Sequence, residues 1–431
     1  MQYYSTNKTA EKVRLPYAVL KGLADDGGLY MPESIPQLPA RFFEDIHTKS
    51  LPEIGYIVAA ALIGDEVPAE VLKQIVEETL NFPIPAVQVE EDIYSLELFH
   101  GPTMAFKDVG ARFMSRLMAY FNRNESRELK VIVATSGDTG SAVAAGFFKV
   151  PGIRVYILFP KGKVSPLQQK QLTTWGGNIT AIEIDGTFDD CQKMAKQALG
   201  DAALNKNNLL TSANSINIAR LIPQSFYYFW AYAQLKKLGR PLVFCVPSGN
   251  FGNITGGLLA AAMGLPVHHF IATTNANDVV PEYLRTSVYK TRPSVQTISN
   301  AMDVGNPSNY ARMCELFDHK HQRFCENITG YAFSDEDTRR AMKMVKKQGY
   351  LLDPHGAVAY LGLKEYLAEH QGNAVGVFLE TAHPAKFKEV VEETLTEAVE
   401  IPEQLQAFLG KKEQIISLPN DYEQLKQLID G

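Results

Sequence analysis

Leu129-Lys130-Val131-Ile132-Val133-Ala134-Thr135-Ser136-Gly137-Asp138-Thr139-Gly140 runs from a short apolar, β-branched segment through a glycine turn into the alanine-rich segment Ser141–Lys149. An apolar run of that length, closed by turn residues and followed by a helix-forming segment, reads as a buried strand feeding a helix. The same order recurs at Leu242–Val246, the turn Pro247-Ser248-Gly249-Asn250-Phe251-Gly252-Asn253 and the segment Ile254–Met263. Strand–helix units in series predict an α/β fold with a largely parallel sheet. Outward from these two units, further strands are expected at Tyr94–Phe99, Val155–Phe159, Thr180–Ile184, His269–Thr273 and Ala374–Leu379. Helices are expected at Phe106–Asn122, Pro166–Thr174, Phe188–Leu199, Asn217–Lys237, Asp335–Gln348, Gly356–Ala368 and Lys386–Ala398. Pro223 lies inside the fourth of these and is expected to kink or restart it.

Before about residue 93 the texture differs. A turn cluster, Ala24-Asp25-Asp26-Gly27-Gly28-Leu29-Tyr30-Met31-Pro32, precedes helical periodicity from Pro68 to Leu80. The expected division is a small helical N-terminal domain over 1–92, a smaller α/β domain over 93–211 and a larger α/β domain over 212–431. The tail after Glu400 reads as polar and helical.

The chain has 431 residues, 45% hydrophobic and 21% charged, with a formal net charge of -6. That balance suits a globular enzyme and argues against a nucleic-acid partner, which calls for a basic surface. A small anion is still allowed, because a few local cations and backbone amides suffice to bind one. Cys191, Cys245, Cys314 and Cys325 have no C-x-x-C spacing, so no zinc site is expected, and free thiols suit a reducing compartment. The first residues lack the apolar core of a signal peptide, and no apolar run reaches about 18 residues. A cytoplasmic protein with no membrane contact is expected.

Three loops carry chemistry. In Ser136–Gly140 a strand, a glycine turn and a helix start point free N–H groups and a positive helix end at one spot, and the hydroxyls of Ser136 and Thr139 add donors. A carboxylate or phosphate fits there, and so does a plain N-cap with no ligand. Ser248–Asn253 has two glycines for close backbone approach and two asparagine side chains, a cradle suited to phosphate. It is neither the G-x-G-x-x-G fingerprint nor a Walker loop. In His100-Gly101-Pro102-Thr103-Met104-Ala105-Phe106-Lys107-Asp108, one lysine starts an apolar helix. Apolar surroundings depress a lysine pKa and favour the free amine of imine chemistry, although a lysine reaching out to solvent is the commoner case. Adjacent His268 and His269, and His319 and His321, read as surface histidines. Asp353-Pro354-His355-Gly356 reads first as a turn and helix cap, and second as a site contact.

In their order along nearly the whole chain, these segments resemble the threonine synthase family, fold-type II pyridoxal-phosphate enzymes. The likeness lies in Gly27-Gly28-Leu29-Tyr30, the lysine motif His100–Asp108, Thr135–Gly140, Asn214-Ser215-Ile216-Asn217-Ile218-Ala219-Arg220, Ser248–Asn253, Ala301-Met302-Asp303-Val304 and Thr381-Ala382-His383-Pro384-Ala385-Lys386-Phe387. The resemblance implies two open, mostly parallel α/β domains beside the N-terminal unit. It implies pyridoxal 5'-phosphate as cofactor, held as a Schiff base on Lys107, with its phosphate on the loop Ser248, Gly249, Asn250, Phe251, Gly252 and Asn253. Thr381 would bond the pyridine nitrogen. A neutral hydroxyl holds the ring proton less firmly than an aspartate, so the electron sink is weaker.

The same resemblance implies that Thr135, Ser136, Gly137 and Thr139 take the substrate carboxylate. Asn214, Ser215 and Arg220 would take the phosphate of O-phospho-L-homoserine, with Arg220 as the bidentate clamp. Lys161 and Lys163 would either add to the field or lie at the surface. Asp138 stands where many fold-type II enzymes carry asparagine near the ring hydroxyl; an anion beside a phenolate is repelled, so Asp138 is expected protonated or turned aside. The implied activity is that of a carbon–oxygen lyase acting on phosphate, yielding L-threonine and phosphate, in a monomer or homodimer. The alternatives are another fold-type II lyase, such as a serine/threonine dehydratase or a phospho-amino-acid lyase, and a non-catalytic small-molecule-binding protein on the same scaffold. Lys107 together with both glycine loops speaks against the last.

Overall fold

The computed structural model describes residues 1–370 and 372–431. Leu129–Ala134 is a strand buried at nearly every position, and its neighbours are Leu209–Ser212 on one side and Ile153–Pro160 on the other. Ile179–Asp185 and Ile415–Pro419 follow, giving a five-stranded sheet with every pairing parallel. Continuous β-branched runs such as Val131-Ile132-Val133 belong in such a sheet because helices cover both of its faces.

The second sheet has six strands in the order Ile328–Ala332, His269–Thr274, Leu242–Pro247, Val375–Glu380, Ile93–Glu97 and Ala86–Glu90. Only the last pair is antiparallel. The helix Pro354–Glu369 packs on it, and Gly252–Ala262 approaches it at Gly257, against Phe270. Both sheets take strands from across the boundary expected at residue 211. Ile93–Glu97 pairs with Val375–Glu380 in the larger sheet, and Ile415–Pro419 pairs with Ile179–Asp185 in the smaller. The tail after Glu400 is therefore not simply helical: helices Glu403–Leu409 and Tyr422–Asp430 flank that strand.

The N-terminal region is helical, with Leu15–Lys21, Leu51–Ile63 and Ala69–Thr79, and it also holds a small antiparallel sheet of Gln2–Ser5, Val13–Arg14 and Tyr30–Pro32. Strands of two to four residues give little periodic signal. The helix expected over Asn217–Lys237 breaks into Ile218–Leu221, a tight 3-10 turn at Ile222–Ser225 and Phe226–Leu235. Pro223 sits in that turn, where its missing N–H and its ring forbid a regular helix. Arg220 lies two residues before the turn, and the Gln224 side chain donates to the Arg220 carbonyl at 2.6 Å. Among the described residues, no helix is long and apolar enough to cross a membrane.

Candidate active site

Four functional segments leave the carboxyl ends of parallel strands and face one cleft between the two sheets. Thr135–Gly140 follows Leu129–Ala134, and Ser248–Gly252 follows Leu242–Pro247; Thr381 follows Val375–Glu380, and the lysine segment follows Ile93–Glu97. Ligands collect at such ends in open α/β sheets because the strand–helix turns converge there. The cleft has an empty volume of about 940 Å³ including its mouth. Every residue expected to bind cofactor or substrate lines it except Gly137. Gly137 serves the turn itself: with φ 144° it takes a conformation that side chains avoid, and an added Cβ would lie 2.6 Å from the Gln168 amide.

Lys107 opens the helix Lys107–Asn122, and the segment before it is tied down on both sides. Phe106 N–H donates to the Thr381 carbonyl at 2.8 Å, His383 N–H to the Met104 carbonyl at 3.1 Å, and Tyr227 Oη to the Phe106 carbonyl at 2.7 Å. The lysine is thereby locked to the Thr381 segment. Its side chain is 16% exposed. Burial lowers its pKa from the ordinary lysine value; Lys386 and Arg220 push the same way, while Asp138 opposes them. A free amine at neutral pH is what carbonyl chemistry needs.

Asp138 departs from expectation. It lines the cleft, facing two lysines. Burial raises its carboxyl, but Lys386 and Lys107 together with hydrogen bonds more than reverse that, leaving it well below the usual carboxylate range. Lys386 Nζ lies 2.8 Å from Asp138 Oδ1, Gln168 Nε2 donates to the same oxygen at 2.8 Å, and Lys107 Nζ stands 3.7 Å from Oδ2. Lys386, a buried cation that the sequence does not place there, stands against this carboxylate.

The second loop holds Phe251 in the left-handed conformation, φ 58°, at the start of helix Gly252–Ala262. That turn aims the first N–H groups of the helix into the cleft. An added Cβ on Gly249 would meet the Ala301 carbonyl at 2.7 Å and Met302 Cα at 2.8 Å, so backbone packs directly on backbone. Asn253 accepts a bond from Tyr228 Oη at 2.9 Å, while its Nδ2 is buried with no partner. Asn250 Oδ1 faces Ser308, whose N–H and hydroxyl lie at 3.3 Å.

Across the cleft, Arg220 is buried at 4% exposure and has no carboxylate within ion-pair distance among the described residues. Its Nη1 donates to the Ala213 carbonyl at 2.6 Å, and its Nε is buried without a partner. Burial pushes its pKa down to about 10. A buried cation with spare donors is an anion site waiting for its anion. Ser215 lines the cleft beside it. Asn214 is already engaged: its amide exchanges bonds with the backbone N–H and carbonyl of Ala134 at 3.2 and 2.8 Å. Lys161 and Lys163 are exposed and do not line the cleft.

Arg312 holds this corner together. Fully buried, it donates to the carbonyls of Tyr30, Ser215 and Ile216 and to Asn309 Oδ1 at 2.6–3.3 Å. It joins the N-terminal sheet to the Asn214–Arg220 segment. Arg312→Met is expected to lower stability by about 3 kcal/mol, because three buried carbonyls lose a donor fork. Arg312→Lys recovers only part of that, since an ammonium lacks the planar fork. Denaturant unfolding measures both.

Sequence reasoning ranked His355 second as a site contact, did not single out Asp303, and misplaced two histidines away from the cleft. Asp353 caps the helix Pro354–Glu369 and fixes His355, a cleft residue: the His355 N–H and Nδ1 both bond Asp353 Oδ1, and its Nε2 accepts from Ala301 N–H at 3.2 Å. Asp303 lines the cleft and takes bonds from Asn275 and Thr297; burial pushes its carboxyl up to about 6. His269, expected at the surface, is half-buried; it bonds Thr329 Oγ1 at 2.9 Å, and burial pulls its pKa down to about 4. His321 likewise bonds the Tyr283 and Leu284 carbonyls at 3.0 Å.

Three family models match the chain: pyridoxal-phosphate dependent enzyme over residues 77–381, threonine synthase N terminus over 2–80 and threonine synthase C-terminal over 356–429. With a partly buried lysine at the carboxyl end of a strand and two open parallel sheets, the first match makes this a pyridoxal-phosphate-dependent enzyme of fold type II. Threonine synthase from Haemophilus influenzae is 45% identical over 427 residues, 99% of each chain. The crystal structure of Escherichia coli threonine synthase superposes with a TM-score of 0.94 at 42% identity, over 100% of this chain and 99% of that one. The pyridoxal-phosphate-bound enzyme from Brucella melitensis gives 0.94 at 34% identity, with the same coverage of 100% and 99%. The chain belongs to the threonine synthase family.

Proposed function

We propose that this cleft converts O-phospho-L-homoserine and water to L-threonine and phosphate with the residues assigned below. The observation that carries the assignment is Arg220, buried and without an acid partner, facing Lys107 across a cleft lined by two loops of free N–H groups. A serine or threonine substrate has no phosphate to meet that cation.

The donor set suits pyridoxal phosphate. Lys107 supplies an amine of lowered pKa for its aldehyde. The N–H groups of Gly249–Asn253 and the unpartnered Asn253 Nδ2 supply donors for its phosphate. When bound, the cofactor supplies an electron sink beside the substrate α-carbon. Lys107 Nζ takes the α-proton and later returns one. Ser136 and Thr139, with the start of helix Asp138–Phe147, hold the substrate carboxylate and so orient the α-carbon toward Lys107. Arg220 and Ser215 hold the phosphate as it departs from the γ-carbon, after which water adds at the β-carbon. The buried donors of this pocket are left unpaired by any substrate lacking phosphate, which is the source of selectivity.

With O-phosphohomoserine, threonine and phosphate are expected in equal amounts. Release of phosphate with a keto acid and ammonia in place of threonine would transfer the assignment to a phospho-amino-acid lyase. Gly249→Ala is expected to weaken cofactor binding at least tenfold, because its Cβ drives the loop off the Ala301 carbonyl by roughly half an ångström. A fluorescence titration with the cofactor measures it.

A further inference from the structure

Asp138 and Lys386 form a buried ion pair one step behind the reactive lysine. Lys386 is fully buried, and its Nζ donates to Asp138 Oδ1 and to the Thr103 carbonyl, each at 2.8 Å. Asp138 therefore has a closer cation than Lys107, whose Nζ stands 3.7 Å from the other oxygen. Buried ion pairs persist only where each charge is met, and removing one partner releases the other to seek a new one. The nearest new partner for Asp138 is Lys107.

We propose that Lys386 is a positioning residue: it is the standing counter-ion of Asp138, and this pairing keeps Lys107 uncharged and available to the cofactor aldehyde. The proposal rests on the assignment of Lys107 above and extends it. Carbon–nitrogen bond formation needs the lone pair of the amine; the aldehyde oxygen leaves as water, and an ammonium must first give its proton to solvent. An anion facing Lys107 alone would hold that proton in place. With Lys386 on the same carboxylate, the pair is close to neutral as seen from Lys107. Two further groups face Lys386. Asp108 is buried, with Thr103 N–H and Oγ1 donating to its carboxylate at 2.9 and 2.6 Å, and burial raises its carboxyl. His383 lies on the same segment, with its pKa brought down to about 4 by burial and by His100. The other groups facing Lys107 are Asp138, Lys386 itself and Arg220.

The test follows capture of pyridoxal phosphate by the full-length protein after the cofactor has been stripped with hydroxylamine. Its rate is recorded against pH, and the product is fixed with borohydride and mapped to Lys107. In Lys386→Met, capture at neutral pH is expected to slow about tenfold and the midpoint of the profile to rise by about one pH unit. Lys386→Arg keeps the charge and should keep the wild-type midpoint. The double variant Lys386→Met/Asp138→Asn removes both charges and should return capture to within about threefold of wild type. Asp138→Asn alone removes the anion while leaving the cation, so its midpoint should fall; this arm decides the matter if Lys386→Met fails to fold. An unchanged midpoint in Lys386→Met or in Asp138→Asn, or a double variant as slow as Lys386→Met, overturns the proposal. Failure of the wild-type protein to be labelled at Lys107 instead overturns the cofactor assignment on which it rests.

Discussion

Lys107→Ala is expected to abolish threonine formation, lowering turnover by about four orders of magnitude or more. Two tasks meet at one nitrogen, attachment of the cofactor and movement of the α-proton, and no other amine in the cleft can take them over. Lys386 is the nearest candidate, but its Nζ is held by Asp138 and the Thr103 carbonyl. Lys107→Arg is expected to fail equally, because a guanidinium does not give up its proton and cannot form the bond. Neither change should unfold the protein, since a partly buried amine of lowered pKa contributes little to stability. Threonine and phosphate release, read beside a thermal melt, separates lost chemistry from lost fold. Retention of a few per cent of turnover in Lys107→Ala would overturn the role given to this residue.

Arg220→Met is expected to lower kcat/KM for O-phosphohomoserine about a thousandfold, close to 4 kcal/mol, the scale of a buried bidentate phosphate contact. Stability gives the decisive sign. An arginine that served only to hold the fold would cost several kcal/mol on removal, as expected for Arg312. Arg220 is buried without an acid partner and spends a single bond on Ala213, so replacing it with an apolar side chain should leave stability nearly unchanged or raise it. A large loss of both stability and activity would mean that Arg220 is structural. Inorganic phosphate offers an independent readout, since it should raise the melting temperature of the wild type and not of Arg220→Met.

The parallel core was legible in the sequence because Val131-Ile132-Val133 and Val243-Phe244-Cys245 are short apolar runs closed by glycine turns, a pattern with few other readings. Lys107 and the loops at 135–140 and 248–253 were legible through their place after such strands and through the family resemblance. The partner of Asp138 was not. Lys386 lies far along the chain, and only tertiary packing brings it within 2.8 Å. For Asn214 the residue was identified but not its occupation, because an asparagine that closes a strand end looks the same in sequence as one that awaits a ligand. The strands at Gln2–Ser5 and Ile415–Pro419, the first a short central strand and the second a half-exposed edge, escaped because neither has the apolar continuity on which strand recognition depends.

The strand Ile415–Pro419 also has a bearing on the order of events at the ribosome. It closes the five-stranded sheet beside Ile179–Asp185, yet it is translated after the whole of the six-stranded sheet. Until it emerges, Ile179–Asp185 presents a row of unpaired N–H and carbonyl groups, an invitation to other nascent chains. The two cleft walls are therefore interleaved in synthesis: the six-stranded wall is begun first, at Ala86–Glu90, and is complete at Val375–Glu380, while the wall bearing Ser136–Gly140 is sealed last.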